Sequence, residues 1–119
     1  MPSAANRAIV ALVMTGSEEQ AVTIARALVV ERLAACVNLV APVRSIYRWH
    51  KKIEDTSEWM LVIKTRASRF VEIERRVRQL HSYEVPEVIA IPVAAGSRPY
   101  LNWLFDATAP ERKQRRRAA

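Results

Sequence analysis

The sequence is poor in the residue types that most often mark catalytic or phosphate-binding sites. It contains one cysteine, two histidines and two glycines among 119 residues. A single cysteine excludes a disulfide within the chain, which is typical of proteins in a reducing compartment. Two glycines leave no glycine-rich phosphate loop, and the two histidines do not stand in a serine–histidine–aspartate arrangement. The sequence therefore indicates a protein that is not an enzyme.

Long apolar segments are also missing, because no run approaches the ~20 residues of a membrane span. Residues 8–14 are apolar and follow Arg7, but they lead into a helix start rather than a small-residue cleavage site, so we do not expect secretion. With 50% hydrophobic and 26% charged residues, the composition is that of one soluble globular domain. We assign this domain to residues 1–108.

Positive charge is concentrated at one end of the sequence. The net charge is +7, and residues 111–117 include five basic residues and one acidic residue, which leaves +3 for the rest of the chain. The body is therefore only mildly basic, which argues against a dedicated nucleic-acid-binding domain. We expect residues 109–119 to be a disordered basic tail, which could bind nucleic acid or acidic surfaces weakly and non-specifically. The alternative is a disordered end that serves only solubility.

A long β-hairpin dominates the predicted structure. Residues 36–50 and 58–65 are rich in valine, isoleucine, tyrosine and tryptophan, and a charged tip at residues 51–57 separates them. We assign Glu54, Asp55 and Glu58 to a solvated acidic cluster at this tip. Pro42 interrupts the first arm and cannot donate to a strand ladder, so it predicts a bulge, a bend or an edge. Alternation with a period of two predicts one shared face for Val37, Leu39, Ala41, Val43, Tyr47 and Trp49.

This hairpin is too long to be covered by its own domain. A strand of about fourteen residues at roughly 3.3 Å each spans about 45 Å, whereas a domain of this length has a radius of gyration of roughly 13–14 Å. The far half would therefore project into solvent with large apolar side chains exposed, which is unfavourable. We predict that Tyr47, Trp49 and Trp59 lie at an interface with other copies of the chain.

The remaining segments complete the order β-α-β-β-α-β-α. Residues 8–14 predict a buried strand, and Ser17 begins a helix in an S-x-x-Q capping box. Ser68 begins a second helix, whose predicted buried stripe is Phe70, Ile73, Val77 and Leu80. Residues 88–93 predict a fourth strand, and residues 100–105 a short last helix. This order predicts an α+β, ferredoxin-like fold with an extra C-terminal helix. Two helices would cover one face of a four-stranded antiparallel sheet and leave the other face to a partner subunit.

Several motifs stand in the order and spacing of a known family. They are Ala34-Ala-Cys-Val-Asn38, Ser45-Ile-Tyr-Arg-Trp49, Lys52-Ile-Glu54, Ile63-Lys-Thr65, His81-x-Tyr-Glu-x-Pro-Glu87 and Tyr100-Leu-x-Trp103. On these motifs the chain resembles the CutA family of divalent-ion-tolerance proteins. The resemblance runs from about Ile9 to Phe105, which is nearly the whole predicted domain.

The resemblance implies a homotrimer of ferredoxin-like subunits, cytoplasmic in bacteria, whose long hairpins bridge neighbouring subunits. It also implies a role in the tolerance and binding of divalent metal ions, copper first. Cys36 occupies the place of the family's common cysteine, and His81 that of the histidine in its His-Pro-Tyr motif, so these are the implied metal ligands. Four positions depart from the family pattern. Met14 stands where some members have a metal-linked cysteine, and Lys51 where the hairpin tip usually has a glycine. Leu80 stands where some members have a second histidine, and Ser82 where the motif has its proline.

The residues themselves leave other interpretations open. A thiolate and an imidazole suit copper or zinc, but no pair in this sequence has C-x-x-C or H-x-x-x-H ligand spacing. The alternative for Cys36 is a small buried core residue. The alternative for His81 is a cap at the C-terminus of the second helix, where a cation is favoured. His50 is interpreted as a solvated residue beside the hairpin tip.

Two other functions are compatible with the predicted order of elements. The CutA fold is similar to that of the nitrogen-regulatory PII proteins, which bind nucleotides between subunits, and Lys64, Tyr83 and Glu84 could line such a small-ligand cleft. The alternative is that Lys64 and Glu84 form an ordinary interfacial ion pair. RNA-recognition modules share the element order but need stacking aromatics on their strands, and residues 58–65 offer only Trp59. Metal binding is therefore the favoured prediction, and a signalling or scaffolding trimer is the alternative.

Overall fold

The order of strands and helices along the chain is the one that the sequence predicts. The computed structural model describes residues 7–110. Its elements are β1 (Ala8–Thr15), α1 (Glu18–Val30), β2 (Cys36–Trp49), β3 (Lys52–Arg66), α2 (Phe70–Leu80), β4 (Val88–Pro92) and α3 (Arg98–Ala107). A 3-10 turn at Ala67–Arg69 precedes α2, so this helix begins at Phe70 rather than at Ser68. Within residues 7–110 no helix is long and apolar enough to cross a membrane.

The four strands form one antiparallel sheet in the order β2-β3-β1-β4. β1 lies between β3 and β4 and pairs with β3 along its whole length, from Ala8 opposite Arg66 to Thr15 opposite Trp59. The first strand is apolar on both of its faces, as a strand in the middle of a covered sheet should be. β2 and β4 are the edges, and Pro92 therefore lies where a missing N–H is tolerated.

Helices α1 and α2 cover one face of the sheet and form the core with it. Alternate residues of the two central strands, among them Val13 and Ile63, are fully buried against Leu28 of α1 and Val77 of α2. The predicted stripe of α2 is confirmed, because Ile73 and Val77 have no exposed surface. The Ser17 cap is confirmed as well, since its hydroxyl accepts from the Gln20 N–H at 3.2 Å.

The opposite face, here called the open face, is only partly covered. It comprises the residues that alternate with the core positions, such as Cys36, Lys64 and Leu12. α3 packs against β1 and β3 on this side and buries Leu104. Apolar side chains toward the edges stay about half exposed, with Ile89 at 50% and Ile91 at 51%. Exposed apolar side chains on one face of a sheet are typical of an interaction surface.

The hairpin formed by β2 and β3 projects beyond the rest of the subunit, as predicted. The principal extents are 53 × 33 × 22 Å, and the radius of gyration of 15.7 Å exceeds the roughly 13–14 Å expected of a compact domain of this length. Ile46 and Ile53 in its far half are 63% and 61% exposed. The arm thus carries large apolar side chains that its own subunit does not cover.

The predicted hairpin tip at residues 51–57 is wrong. The two strands are joined by a two-residue turn at His50 and Lys51, with φ angles of 49° and 66°, and β3 begins at Lys52. Positive φ at both central residues is the geometry of a tight hairpin turn. The polar residues after the turn belong to a strand that lies outside the core, so neither of its faces needs an apolar side chain. Polarity therefore does not mark a loop in this segment.

The predicted shared face of the first arm is also wrong beyond Pro42. Val40 pairs with Met60 and Val43 with Glu58, so three steps along β2 correspond to two along β3. This is the bulge that Pro42 predicted, and the extra residue reverses which side chains point to which face. Of the residues predicted to share one face, those before the bulge, such as Leu39, face the core. Those after it, including Val43, Tyr47 and Trp49, share the open face with Lys64 and Met60.

The predicted domain boundary at residue 108 lies in an ordered part of the structure. Ala109 donates its N–H to the Asp106 carbonyl at 3.3 Å, and its own carbonyl accepts from Arg32 at 3.0 Å. The chain is therefore held to the body at least as far as Ala109. Residues 111–119, which make up most of the predicted disordered tail, lie outside the described residues.

The core assignment predicts a large difference between two positions on the same helix. Ile73→Ala removes a fully buried side chain of α2 and should lower the free energy of unfolding by about 2–5 kcal/mol. Val71→Ala, on the outer side of α2 with 63% exposure, should change it by less than about 0.5 kcal/mol. Urea unfolding at one fixed protein concentration measures both values. Equal effects of the two substitutions would contradict the proposed packing of α2.

Candidate functional site

His81 follows the last residue of α2 and is buried. Its Nε2 lies 2.7 Å from the carbonyl oxygen of Met14, and its Nδ1 accepts from the N–H of Tyr83 at 3.1 Å. Because a carbonyl only accepts and an N–H only donates, the imidazole is neutral and carries its proton on Nε2. Both ring nitrogens are therefore engaged, and a metal ion could bind only by replacing one of these hydrogen bonds.

Glu58 is the acidic residue that sequence reasoning placed wrongly. It is only 5% exposed and does not belong to a solvated acidic cluster. Its Oε2 accepts from the Tyr83 hydroxyl at 2.7 Å, whereas the predicted cluster member Asp55 is held by Arg44 in a two-point ion pair. Glu58 alternates with the apolar Met60 and Val62 on the open face, and that pattern was the signal for its burial.

Tyr83 reaches Glu58 by passing over Gly16, just beyond the end of β1. A Cβ on Gly16 would lie 3.1 Å from the Tyr83 hydroxyl oxygen, so any larger residue would press against the ring. The Tyr83 ring also lies 4.5 Å from that of His81, centroid to centroid. Burial first, and then the hydrogen bond and charge of Glu58, raise the pKa of Tyr83 well above its ordinary value. The phenol therefore stays protonated and acts as a donor.

Gln20 ties the start of α1 to the end of α2. Its side-chain nitrogen donates to the Leu80 carbonyl at 3.2 Å, and its oxygen accepts from the hydroxyl and N–H of Ser82 at 2.8 and 3.2 Å. The glutamine of the S-x-x-Q motif thus bridges two helices. A groove of about 500 Å³ lies beside it, lined by Gly16, Ser17, Glu19, Gln20, Thr23 and Ser82.

Cys36 lies on the open face, in a second polar cluster. It is half-buried and stands directly opposite Lys64 on the neighbouring strand. Its thiol donates to the Asn38 side-chain oxygen at 3.6 Å, and the Lys64 ammonium donates to the same oxygen. Burial, and then the nearby Cys36, raise the pKa of Tyr100 in α3. The cysteine is therefore accessible to α3 and to the open face and is not sealed in the core.

The two implied metal ligands do not meet within one chain. Cys36 is opposite Lys64, while His81 binds Met14, which is opposite Met60. These two positions on β3 are four residues apart, or about 13 Å. Across residues 7–110, no three histidine, cysteine, aspartate or glutamate side chains come together as a metal-binding group. A site that contains both ligands therefore needs more than one copy of the chain.

The residues of the predicted small-ligand cleft are also separated. Lys64 lies in the Cys36 cluster, Tyr83 is bound to Glu58, and Glu84 is exposed in the loop after α2. A cleft lined by all three would again have to form between chains. Of the predicted interface residues, Tyr47 and Trp49 are exposed on the arm at 39% and 38%, whereas Trp59 packs against the core of its own subunit. His50 is exposed in the hairpin turn.

Comparison with known proteins identifies the family. Residues 9–107 match the family described as CutA1 divalent ion tolerance protein. The chain belongs to this family. The family resemblance inferred from the motifs is thus confirmed, and the match includes β1, both strands of the hairpin and all three helices.

The CutA1 relatives agree in sequence and in structure. The divalent-cation tolerance protein CutA of Thermus thermophilus is 50% identical over 99 residues, which are 83% of this chain and 96% of that protein. A solved structure from the same organism, described as Cut A1, superimposes with a TM-score of 0.84 at 48% identity and covers 86% of this chain and 99% of its own. CutA1 of Oryza sativa gives a TM-score of 0.85 at 38% identity, with 92% and 100% covered.

Some CutA1 relatives are longer than this chain. Protein CutA of Mus musculus is 49% identical over 98 residues, which are 82% of this chain but only 55% of the mouse protein. The chain therefore spans about half the length of such relatives. What it shares with them is the α+β domain just described.

The contact between Tyr83 and Glu58 predicts a pH-dependent contribution to stability. Tyr83→Phe leaves a buried carboxylate without its donor and should lower the free energy of unfolding by about 1–3 kcal/mol at pH 7. Because the pKa of Tyr83 is raised in the folded state, this contribution is present below pH ~10 and is lost as the pH rises through the raised value. Urea unfolding of wild type and Tyr83→Phe, at pH 7 and at a pH above ~10, tests this prediction.

The matched control is Tyr100→Phe, which removes the same hydroxyl from an exposed ring of α3. It should change the free energy of unfolding by less than about 0.5 kcal/mol at pH 7. A Tyr83→Phe protein as stable as wild type at pH 7 would show that the Glu58 contact contributes nothing.

Proposed function

We propose that this protein is a divalent-cation tolerance protein that acts as a homotrimer and binds divalent metal ions, copper first, through His81 and Cys36. The observation that carries the proposal is the match of residues 9–107 to the CutA1 family. The 50% identity to a relative named for divalent-cation tolerance supports it. The function is binding rather than catalysis, which agrees with a family named for tolerance and not for a reaction.

The proposed subunit is of the ferredoxin-like class, and the proposed trimer is supported by two surfaces. The β-α-β-β-α-β order and the strand order β2-β3-β1-β4 agree with that class. The open face presents Ile89 and Ile91, and the projecting arm presents Tyr47 and Trp49. Both surfaces are apolar and both lie on the same side of the sheet, so association could cover them together.

The donor chemistry suits the proposed metal, but one chain does not complete a site. Thiolate and imidazole are ligands that copper and zinc accept. Within a subunit, however, Cys36 and His81 lie at different strand positions, and both nitrogens of His81 are hydrogen-bonded. Metal binding in a trimer would therefore combine ligands from different subunits and exchange one hydrogen bond of His81 for the metal.

We further propose a cytoplasmic location, which is supported by the single cysteine. The names of the relatives point to more than one compartment. The structure from Archaeoglobus fulgidus is described as periplasmic, and the Arabidopsis thaliana relative as chloroplastic. Location is thus expected to vary within the family and to depend on segments outside the shared domain.

The alternative is a signalling or scaffolding trimer that binds a small ligand between subunits without a physiological metal. The groove beside Gln20 favours it, because Ser82 and Thr23 give it a polar lining. In this alternative Lys64, Tyr83 and Glu84 would be contributed to one cleft by neighbouring subunits. The two proposals differ in whether His81 and Cys36 bind metal.

Titration calorimetry of the full chain with Cu²⁺ and Zn²⁺ tests the proposed ligands. We expect saturable Cu²⁺ binding with a fixed number of ions per three chains, and an affinity at least about tenfold lower in both His81→Ala and Cys36→Ala. His50→Ala removes the other histidine, which is exposed in the hairpin turn, and should leave the affinity unchanged. Binding that neither His81→Ala nor Cys36→Ala affects would favour the alternative.

Light scattering tests the proposed assembly. Wild type should have three times the 13.5 kDa mass of one chain, independent of concentration over the micromolar range. Ile91→Lys places a charge on the open face, where it would be costly to bury, and should lower the mass. Val30→Lys makes the same change on α1, at a position that is 77% exposed, and should not. A monomeric wild type, or a trimer with Ile91→Lys, would contradict the proposed interface.

A further inference from the structure

Hydrogen bonds of two different kinds hold the ring nitrogens of His81. Nε2 carries the proton and donates to the Met14 carbonyl at 2.7 Å, whereas Nδ1 accepts from the N–H of Tyr83 at 3.1 Å. A metal ion binds the lone pair of an unprotonated imidazole nitrogen, and here that nitrogen is Nδ1. A metal-binding histidine usually donates its other N–H to a carbonyl, a carboxylate or water. The contact with Met14 therefore already provides the support that binding through Nδ1 needs.

Releasing Nδ1 costs less than releasing Nε2. Binding through Nε2 would break the shorter bond to Met14 and also move the proton to Nδ1, where it would face the N–H of Tyr83, a second donor. Binding through Nδ1 breaks only the longer bond. The freed N–H of Tyr83 can bond to water, because the residues on either side of it, Ser82 and Glu84, are exposed. Tyr83 is therefore the group that must move before His81 can bind a metal ion.

The side chain of Tyr83 keeps its backbone beside His81. Its hydroxyl donates to Glu58 Oε2 at 2.7 Å, and Glu58 is only 5% exposed on β3, where it lies opposite Val43 of β2. A hydrogen bond to a carboxylate is stronger than one between neutral groups. The two contacts of Tyr83, with Nδ1 of His81 and with Glu58, are here called the Tyr83 latch. The latch is open when Tyr83 has left both.

The surroundings leave room for the latch to open. Ser82, which lies between His81 and Tyr83, lines the groove of about 500 Å³ beside Gln20. Its hydroxyl and N–H donate to the side chain of Gln20, which can change rotamer with the loop. Gly16, beneath the Tyr83 ring, has no side chain that would hold the ring in place. A shift of residues 82 and 83 therefore needs no rearrangement of α1 or of the sheet.

We propose that the Tyr83 latch controls metal binding at His81, because Nδ1 becomes available only when Tyr83 leaves it and releases Glu58. This inference rests on the proposed function, since it concerns the same histidine. Tyr83 and Glu58 are positioning residues, and neither is proposed to contact the metal ion. The latch also sets a threshold of affinity. His81 stays closed to ions that bind imidazole weakly, such as Mg²⁺ and Ca²⁺, and opens for Cu²⁺ and Zn²⁺.

Nitrogen-15 NMR of the full chain tests which nitrogen of His81 is available. Without metal, the ring proton should be on Nε2 and Nδ1 should be unprotonated. Zn²⁺ has a filled d shell and is therefore diamagnetic, so adding it should shift the Nδ1 resonance while the Nε2 proton stays in place. His50→Ala removes the signals of the only other histidine and so assigns those of His81. A proton on Nδ1, or Zn²⁺ binding through Nε2, would overturn the proposal.

Titration calorimetry with Cu²⁺ tests the latch itself. Tyr83→Phe removes the hydroxyl and keeps the ring and the backbone N–H, so Nδ1 should be released more readily and the affinity should rise at least about fivefold. Glu58→Ala removes the acceptor of the same bond and should raise the affinity by a similar factor. Because both substitutions break one contact, the double variant should bind no more tightly than either single variant.

The control weakens the subunit without touching the latch. Ile73→Val removes one methylene from the core of α2 and should leave the affinity unchanged. An equal rise in Ile73→Val would show that general loosening is the cause. A loss of affinity in Glu58→Ala would make Glu58 a ligand, and it would overturn the latch. Loss of binding in His81→Ala with no rise in Tyr83→Phe would overturn the latch alone, whereas binding that His81→Ala leaves unchanged would overturn the proposed ligand as well.

Discussion

The first strand is apolar on both faces, and the rest of the structure depends on covering both of them. On one side α1 and α2 bury Ala11 and Val13 completely. On the other side α3 is a short helix that covers only part of the sheet, so Ile89 and Ile91 stay half exposed. Because residues 7–110 contain no further helix that could cover this side, the second layer would be completed in the proposed trimer by another copy of the same chain.

The corner where β1 meets α1 is fixed by contacts from the end of α2. His81 donates to the Met14 carbonyl, Tyr83 crosses Gly16 to reach Glu58, and Gln20 bonds to Leu80 and Ser82. Each contact joins segments that are far apart in sequence, and together they surround the residue implied to bind metal. His81 is therefore both a structural cap and a candidate ligand, so the first role limits the geometry available to the second.

Sequence reasoning predicted the elements well, because each has a local signal. The Ser17 cap, the apolar stripe of α2 and the proline in β2 all act over a few residues. It failed where the environment is set by distant segments. Glu58 is buried because Tyr83, from a loop twenty-five residues away, lies against it. The turn at His50 and Lys51 has positive φ angles without the glycine or asparagine that usually marks them.

The sequence predicted which residues belong to the candidate site but not how they are arranged in space. The family motifs pointed to Cys36 and His81, but spacing in the sequence carries no information about register, and it is register that separates them. The contacts of three arginines with backbone carbonyls at the C-terminal end of α3 were not predicted at all. Arg32, Arg66 and Arg69 stand in three different segments, and an arginine that binds a helix C-terminus has the same sequence signature as one that faces solvent.

The bulge at residues 41 and 42 changes which side chains of β2 face the helices, so the projecting arm differs in this respect from the part of β2 before the bulge. Before it, the outer strand turns its apolar side to the helices of its own subunit; after it, the same alternation turns Tyr47 and Trp49 to the opposite side. One alternating sequence can thereby supply both the core of its own chain and the interface of the proposed trimer. Length at this point is consequently more constrained than side-chain identity. Deleting one residue would keep every side chain of the arm, yet present the aromatic rings to the wrong side of the sheet.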